Sequence, residues 1–280
     1  MKAFAPKRRF SQNFLTDPRT ADAIVQALEI HQGDHVLEIG PGTGMLTQRL
    51  AASQAKRIVA VDVDPRAIQH IKAAQWASGG RVEAVESDIL RMSLDDVFPG
   101  VDPAQVKVIG NIPYAITSDI LFWAFQARRS MACCVMMMQR EVARRCVASC
   151  GTKEYGILAI ATWYASKPSL LFHVKPGSFF PAPTVTSSVV RFAMREADPL
   201  PLAMNRYMDF VRAAFGQRRK VISNGIDAYC RTTWGIGVKQ LLAADLPMPI
   251  DPRRRRAEEL TPEQIHELWR TLEERAEQLQ

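Results

Sequence analysis

The chain has 280 residues, 47% of them hydrophobic and 23% charged, which supports a substantial core and excludes a disordered chain. Its 36 Lys and Arg against 29 Asp and Glu leave a formal charge of +7, a balance that points to an acidic partner, nucleic acid being the commonest. No apolar run reaches the ~18 residues of a membrane span, the five cysteines form no C-x-x-C pair and the five histidines are scattered, so neither a disulfide framework nor a metal site is expected.

This cysteine usage suits a reducing cytoplasm. The basic amino end, Lys7-Arg8-Arg9-Phe10, lacks the apolar segment of a signal peptide. Ser11-Gln12-Asn13-Phe14-Leu15 follows, and Asp17-Pro18 predicts a capped helix with proline at its first position. That helix runs to about Leu28, with Ile24, Val25 and Leu28 on one side. Val36, Leu37 and Ile39 form a short strand, and glycines follow at alternate positions: Gly40, Gly42 and Gly44. A helix is expected from Thr43, with Leu46 and Leu50 on one face.

Strand, glycine turn and helix open a nucleotide-binding α/β unit. Glycine is needed there because a Cβ would hold the backbone off the ligand. Asp62 ends the next strand, Ile58 to Val61, at the distance, roughly 20 residues on, of a carboxylate that holds two ribose hydroxyls. The unit fits a nicotinamide or flavin dehydrogenase, and it fits an S-adenosylmethionine (SAM) methyltransferase. An ordinary tight turn is the plainer alternative. The G-x-G-x-G spacing weakens the dehydrogenase reading, as does the lack of a placed histidine to partner a hydride.

A helix starts at Asp64-Pro65; Val82 to Val85 is a strand closed by Ser87-Asp88; residues 93–103 form a loop. Val106 to Ile109 is the next strand and leads to Asn111-Ile112-Pro113-Tyr114. Thr117 to Phe125 is helical, and the apolar run Met131 to Met138 suits a central parallel strand. Gln139 to Val147 and Tyr155 to Ala165 are helices. Leu170 to Val174 and Ser187 to Phe192 suggest an antiparallel pair at the sheet edge, around a proline-rich loop at 176–183. Residues 195–203 read as a linker, and helical patterns at Tyr207–Phe215, Val221–Tyr229 and Pro262–Gln278 follow. The expected organisation is an α/β doubly wound sheet over 1–196 and a small all-α domain over 204–280.

Ligands of such sheets bind beyond the carboxyl ends of the strands. Gly40, Asp62, Asp88 and Asn111 all follow or end strands and can converge on one crevice. The tetrapeptide suits methylation of an adenine amine, whose lone pair is conjugated with the ring. The Asn111 amide oxygen and a carbonyl of the Ile112-Pro113 turn can accept its two hydrogens, with Pro113 holding the turn rigid. Tyr114 offers a face for a splayed-out base, worth about 1–3 kcal/mol. Methyl transfer then needs alignment more than a strong base.

In these motifs the chain resembles the RsmA/KsgA-type ribosomal RNA adenine dimethyltransferases, relatives of the Erm methyltransferases. The matching pieces run in order over nearly the whole chain: Gln12 to Leu15, Glu38 to Gly42, Asp88, Asn111 to Tyr114, Phe179-Phe180-Pro181-Ala182-Pro183 with Val185 and Ser187, Ala214 to Lys220, and Arg256-Ala257-Glu258. Ser11, Asp62, Thr43-Gly44 and Ile112 depart from common family residues without removing a proposed role. The resemblance implies a Rossmann-like SAM-dependent methyltransferase sheet. It implies SAM binding by Asn13, Leu15, Gly40, Asp62, Asp88 and Asn111, with Asn13 and Leu15 as a lid. It implies Asn111, Pro113 and Tyr114 as the catalytic group, and Phe179 stacking on the target base opposite Tyr114.

The basic clusters include Arg140 with Arg144 and Arg145 at helical spacing, and Arg218-Arg219-Lys220. Together with a base pocket they point to RNA phosphates. By resemblance the expected substrate is two adjacent adenosines near the 3′ end of 16S rRNA, in the small subunit or its precursor, and the expected enzyme is a cytoplasmic monomer without metal. The alternatives are an Erm-like enzyme acting on 23S rRNA and a non-catalytic rRNA-binding assembly factor.

Overall fold

The computed structural model describes residues 13–217, 219–243 and 248–280. Lys7 to Gln12 and Arg218 therefore lie outside the described residues. The chain divides into two compact units: residues up to Val147 with Ala165–Glu196, and Ala148–Tyr164 with Ala197–Gln280. The division expected after residue 196 thus differs in one segment, 148–164. That segment is held by carboxyl-terminal residues: Gly151 N–H donates to Glu258 O (2.9 Å) and Tyr155 Oη to Leu260 O (2.9 Å). Its helix, Ile157–Ala165, is apolar on every side, and such a helix must be covered all round.

The first unit is built on strands β1 (Phe14–Leu15), β2 (His35–Ile39), β3 (Arg57–Asp62), β4 (Val82–Glu86), β5 (Val106–Asn111), β6 (Cys133–Gln139), β7 (Ser166–Val174), β8 (Phe179–Phe180) and β9 (Ser187–Met194). Seven of them form one sheet, in the order β4-β3-β2-β5-β6-β9-β7. β2 to β6 run parallel, while β9 is antiparallel to both β6 and β7. The run at 131–138 is accordingly a central strand, parallel to β5 on one side only. Strands this deep read as continuous apolar runs because both faces are covered; β2 is buried at all five positions, Glu38 included.

The helices begin where their caps place them. Asp17 caps Pro18–Gln26 by accepting from the Arg19 and Thr20 amides, and Asp64 caps Pro65–Lys72, each with proline at the first turn. The helix expected from Thr43 spans Thr47–Ala51 instead. Gly40, Gly42 and Gly44 take φ of 68°, 53° and 81°, which keeps the chain out of right-handed helical geometry as far as residue 44.

The second unit carries helices at Met204–Phe215, Ile222–Trp234, Val238–Ala243 and Pro262–Leu279. Pro262–Leu279 starts with a reciprocal capping box between Thr261 and Gln264. Among the described residues, no strand follows Met194.

Candidate active site

Strand order puts the carboxyl ends of β4, β3, β2 and β5 side by side on one edge. Register aligns them: Ile39 pairs with Val61 on one side and Gly110 on the other, and Val61 pairs with Val85. The chain leaves β2 toward β3 and β4 but leaves β5 toward β6, so a crevice opens between β2 and β5. Gly40, Asp62 and Asn111 meet along this edge. Gly40 N–H donates to Val61 O at 2.9 Å. A Cβ on Gly40 would stand 3.7 Å from the Asn111 carbonyl oxygen. Asp88 lies two residues beyond β4, and its neighbour Ser87 donates from the backbone to Asp62 O (3.1 Å).

Three acids line this edge. Burial pushes the Asp62 carboxyl up from its ordinary range, against hydrogen bonds from the Asp64, Gly42 and Val63 amides; the Asp64 bond is 2.9 Å long. Asp88 caps Ile89–Arg91 by accepting from Leu90 N–H at 3.0 Å through Oδ1, and its Oδ2 lies 3.9 Å from Arg91 Nε in an exposed ion pair. Glu38 is 1% exposed, and its Oε2 has no hydrogen-bond partner among the described residues. Burial, with the charge of Asp62 beside it, raises the Glu38 carboxyl to about 8. An unpaired polar oxygen at this depth is costly, and it lies two residues before the glycine turn.

The raised carboxyl has a measurable consequence. Glu38 holds its proton in the folded chain at pH values where the unfolded chain has lost it. Its contribution to stability is complete below the ordinary value of 4.5 and is lost as pH rises through about 8. Ligand-free wild type should therefore lose melting temperature relative to Glu38→Gln between about pH 5 and about pH 9. A difference between the two proteins that did not change with pH would show Glu38 to be ionised within the fold.

The β5 side of the crevice is built around Asn111, the last residue of that strand. Its Nδ2 donates to the Asn13 carbonyl at 3.0 Å. A backbone carbonyl can only accept, so this bond fixes the amide orientation and leaves Oδ1 as the acceptor. The Pro113 carbonyl is engaged by Ile116 N–H (3.3 Å) and Thr117 Oγ1 (3.1 Å). The Ile112 carbonyl carries no such bond among the described residues, which makes it the second acceptor of the turn. Tyr114 is half-buried, with its hydroxyl 2.7 Å from Ser187 Oγ at the start of β9.

Of the expected lid, Leu15 belongs to a two-stranded ribbon in which Phe14 pairs with Phe180 and Leu15 with Phe179, and Asn13 lies just before its first strand. The ring of Phe14 abuts the glycine turn, 3.0 Å from where a Cβ on Gly42 would stand. Phe179, expected to be a stacking platform, is 4% exposed and packs in the core with Leu15; the exposed ring is that of Phe180. Sequence reading also passed over two exposed apolar side chains, Val63 directly after Asp62 and Leu90 two residues after Asp88. Position after each acid was the available signal.

Arg140, Arg144 and Arg145 are exposed on the helix Arg140–Cys146, which continues from the carboxyl end of β6 on the same edge as Asn111. In the second unit, Arg219 and Lys220 are exposed. Arg253 is paired with Asp251 at 2.9 Å. No group of three or more metal-binding side chains occurs among the described residues, and no helix there is long and apolar enough to cross a membrane.

Comparison with known proteins adds an independent line. The family described as ribosomal RNA adenine dimethylase matches residues 3–237. The chain is 40% identical over 257 residues to the ribosomal RNA small subunit methyltransferase A of Prosthecochloris aestuarii, covering 92% of this chain and 90% of that protein. It is 37% identical over 277 residues to the protein of the same name from Salinibacter ruber, covering 98% and 87%. A dimethyladenosine transferase from Plasmodium falciparum superposes with a TM-score of 0.74 at 26% identity, over 94% of this chain and 98% of that one. The 23S rRNA methyltransferase ErmE gives 0.65 at 26% identity, over 93% and 100%.

Proposed function

The chain belongs to the ribosomal RNA adenine dimethylase family, and from that premise we propose that it dimethylates the N6 amines of two adjacent adenosines near the 3′ end of small-subunit rRNA, with SAM as methyl donor. The observation that carries this reading is the Asn111 amide. Its nitrogen is committed to the Asn13 carbonyl, so its oxygen and the Ile112 carbonyl form a pair of acceptors matched to the two hydrogens of an adenine amine. Drawing on both hydrogens favours a pyramidal nitrogen with its lone pair released for attack. Tyr114 stacks on the splayed-out base, and its hydroxyl bond to Ser187 holds the ring at one angle. The proton lost from the amine needs only a modest acceptor.

The crevice fits the donor by its own features. A cradle of positive-φ glycines admits close backbone approach, and the buried carboxyl oxygen of Glu38, unpartnered among the described residues, lies two residues before it. Asp62 would take the ribose hydroxyls and Asp88 the adenine amine, with Val63 and Leu90 as apolar walls for the ring. When bound, the donor supplies a methyl on a sulfonium, which needs no metal for transfer. Arg140, Arg144 and Arg145, with Arg219 and Lys220, would grip phosphates in a salt-dependent way.

The likeness to ErmE supports one competing reading, a large-subunit substrate. Purified small and large subunits lacking adenine dimethylation, incubated with labelled SAM, separate the two. Label in two adjacent adenosines of the small-subunit RNA is expected; label confined to the large-subunit RNA would reject the proposal.

A further inference from the structure

Phe180 is the most exposed large apolar side chain among the described residues, at 65%, and none of them stacks on its ring. A phenyl ring left in water forgoes the burial that normally stabilises the fold. Its backbone, in contrast, is held firmly. Phe180 pairs with Phe14 in the ribbon, and both the amide and the hydroxyl of Thr16 donate to Ser178 O, at 2.8 and 3.1 Å. Directly paired residues of an antiparallel ladder share a face, with Cβ atoms about 4.5–5.5 Å apart. Phe180 therefore lies on the face that carries Phe14, the ring set against Gly42. The other end of its connection reaches the target pocket: Ser187 bonds the Tyr114 hydroxyl, and the Thr186 carbonyl accepts from the Arg140 amide at 2.9 Å.

A base splayed out of a strand takes one stacking partner away from its neighbour. We propose that Phe180 replaces that partner, a second base platform at the rim that holds the adenosine next to the one being methylated. This rests on the reading that an adenosine enters at Asn111 and Tyr114. Stacking on a phenyl face is tolerant of sequence, so one ring serves both rounds: whichever adenosine of the pair enters, the other is its neighbour. Phe179 cannot fill this role from its place in the core. A firmly held backbone keeps the ring's ordering cost on binding low.

The test uses the whole protein and an RNA hairpin with two adjacent adenosines in its loop. One loop stack is worth roughly 5- to 150-fold in affinity. Phe180→Ala should lower kcat/KM for the RNA about tenfold, and Phe180→Trp should restore it. Calorimetric SAM affinity should match wild type in both variants, since an exposed ring supports neither the fold nor the donor site. With 2-aminopurine in place of one of the two adenosines, wild type and Phe180→Trp should quench its fluorescence on binding, and Phe180→Ala should not. Equal kcat/KM and equal quenching in wild type and Phe180→Ala would overturn the platform. If wild type binds the hairpin but transfers no methyl to it or to the ribosomal subunit, the enzymatic reading fails instead, and the quenching comparison still decides on Phe180.

Discussion

Asn111→Ala should reduce single-turnover methyl transfer by about 10³-fold, the scale of losing one placed acceptor or donor at a reacting centre. The variant removes the oxygen proposed to accept from the amine and also the bond to the Asn13 carbonyl, which is worth about 0.5–1.5 kcal/mol. The fold should survive, because Asn111 ends its strand and is half-buried. RNA affinity, set mainly by phosphate contacts, should stay close to wild type. Asn111→Asp makes the second half of the argument. It keeps an acceptor of the same shape but cannot donate to Asn13, and its charge would face that carbonyl. It should be nearly as slow as the alanine variant. Transfer by Asn111→Ala within about tenfold of wild type would mean that the amine is activated elsewhere.

Gly40→Val should abolish measurable SAM binding, read by calorimetry, and leave a folded protein. At φ of 68° a β-branched residue is strained, at roughly 1–3 kcal/mol. The added side chain would also fill the cradle 3.7 Å from the Asn111 carbonyl. The strain should appear as a loss of several degrees in melting temperature, at about 2–4 °C per kcal/mol for a chain near this size. Normal SAM affinity in a folded Gly40→Val protein would place the donor in another part of the crevice.

The two predictions rest on features that sequence revealed unequally. Strand, glycine turn and second acid are encoded within short windows, so Gly40, Asp62, Asp88 and Asn111 could be put at strand ends before any coordinates. The ribbon could not: two-residue strands have no periodicity to detect, and the hydrogen bond beside them joins residues 162 apart. Phe179 and Phe180 are chemically identical neighbours, and only pairing with Leu15 and Phe14 decides which ring enters the core. Glu38 stood in plain view within an apolar strand. Its depth followed from β2 lying between β3 and β5, a matter of strand order. The segment 148–164 was assigned by adjacency to the sheet, whereas its strongly apolar helix finds its cover among the carboxyl-terminal helices.

The ribbon also sets a clock. Its first strand leaves the ribosome early in synthesis, but β8 follows only after the sheet's parallel core has been made. The 162 residues that separate Thr16 from Ser178, translated at about 5–20 residues per second, take roughly 8–30 s. During that interval the amino-terminal arm has no strand to join, and Asn111 has no settled Asn13 carbonyl to bind. A nascent chain in this state would carry the glycine turn, Asp62 and Asp88, yet have no Asn13 carbonyl to fix the Asn111 amide. Catalytic competence would then arrive late and all at once, only after β8 has been made.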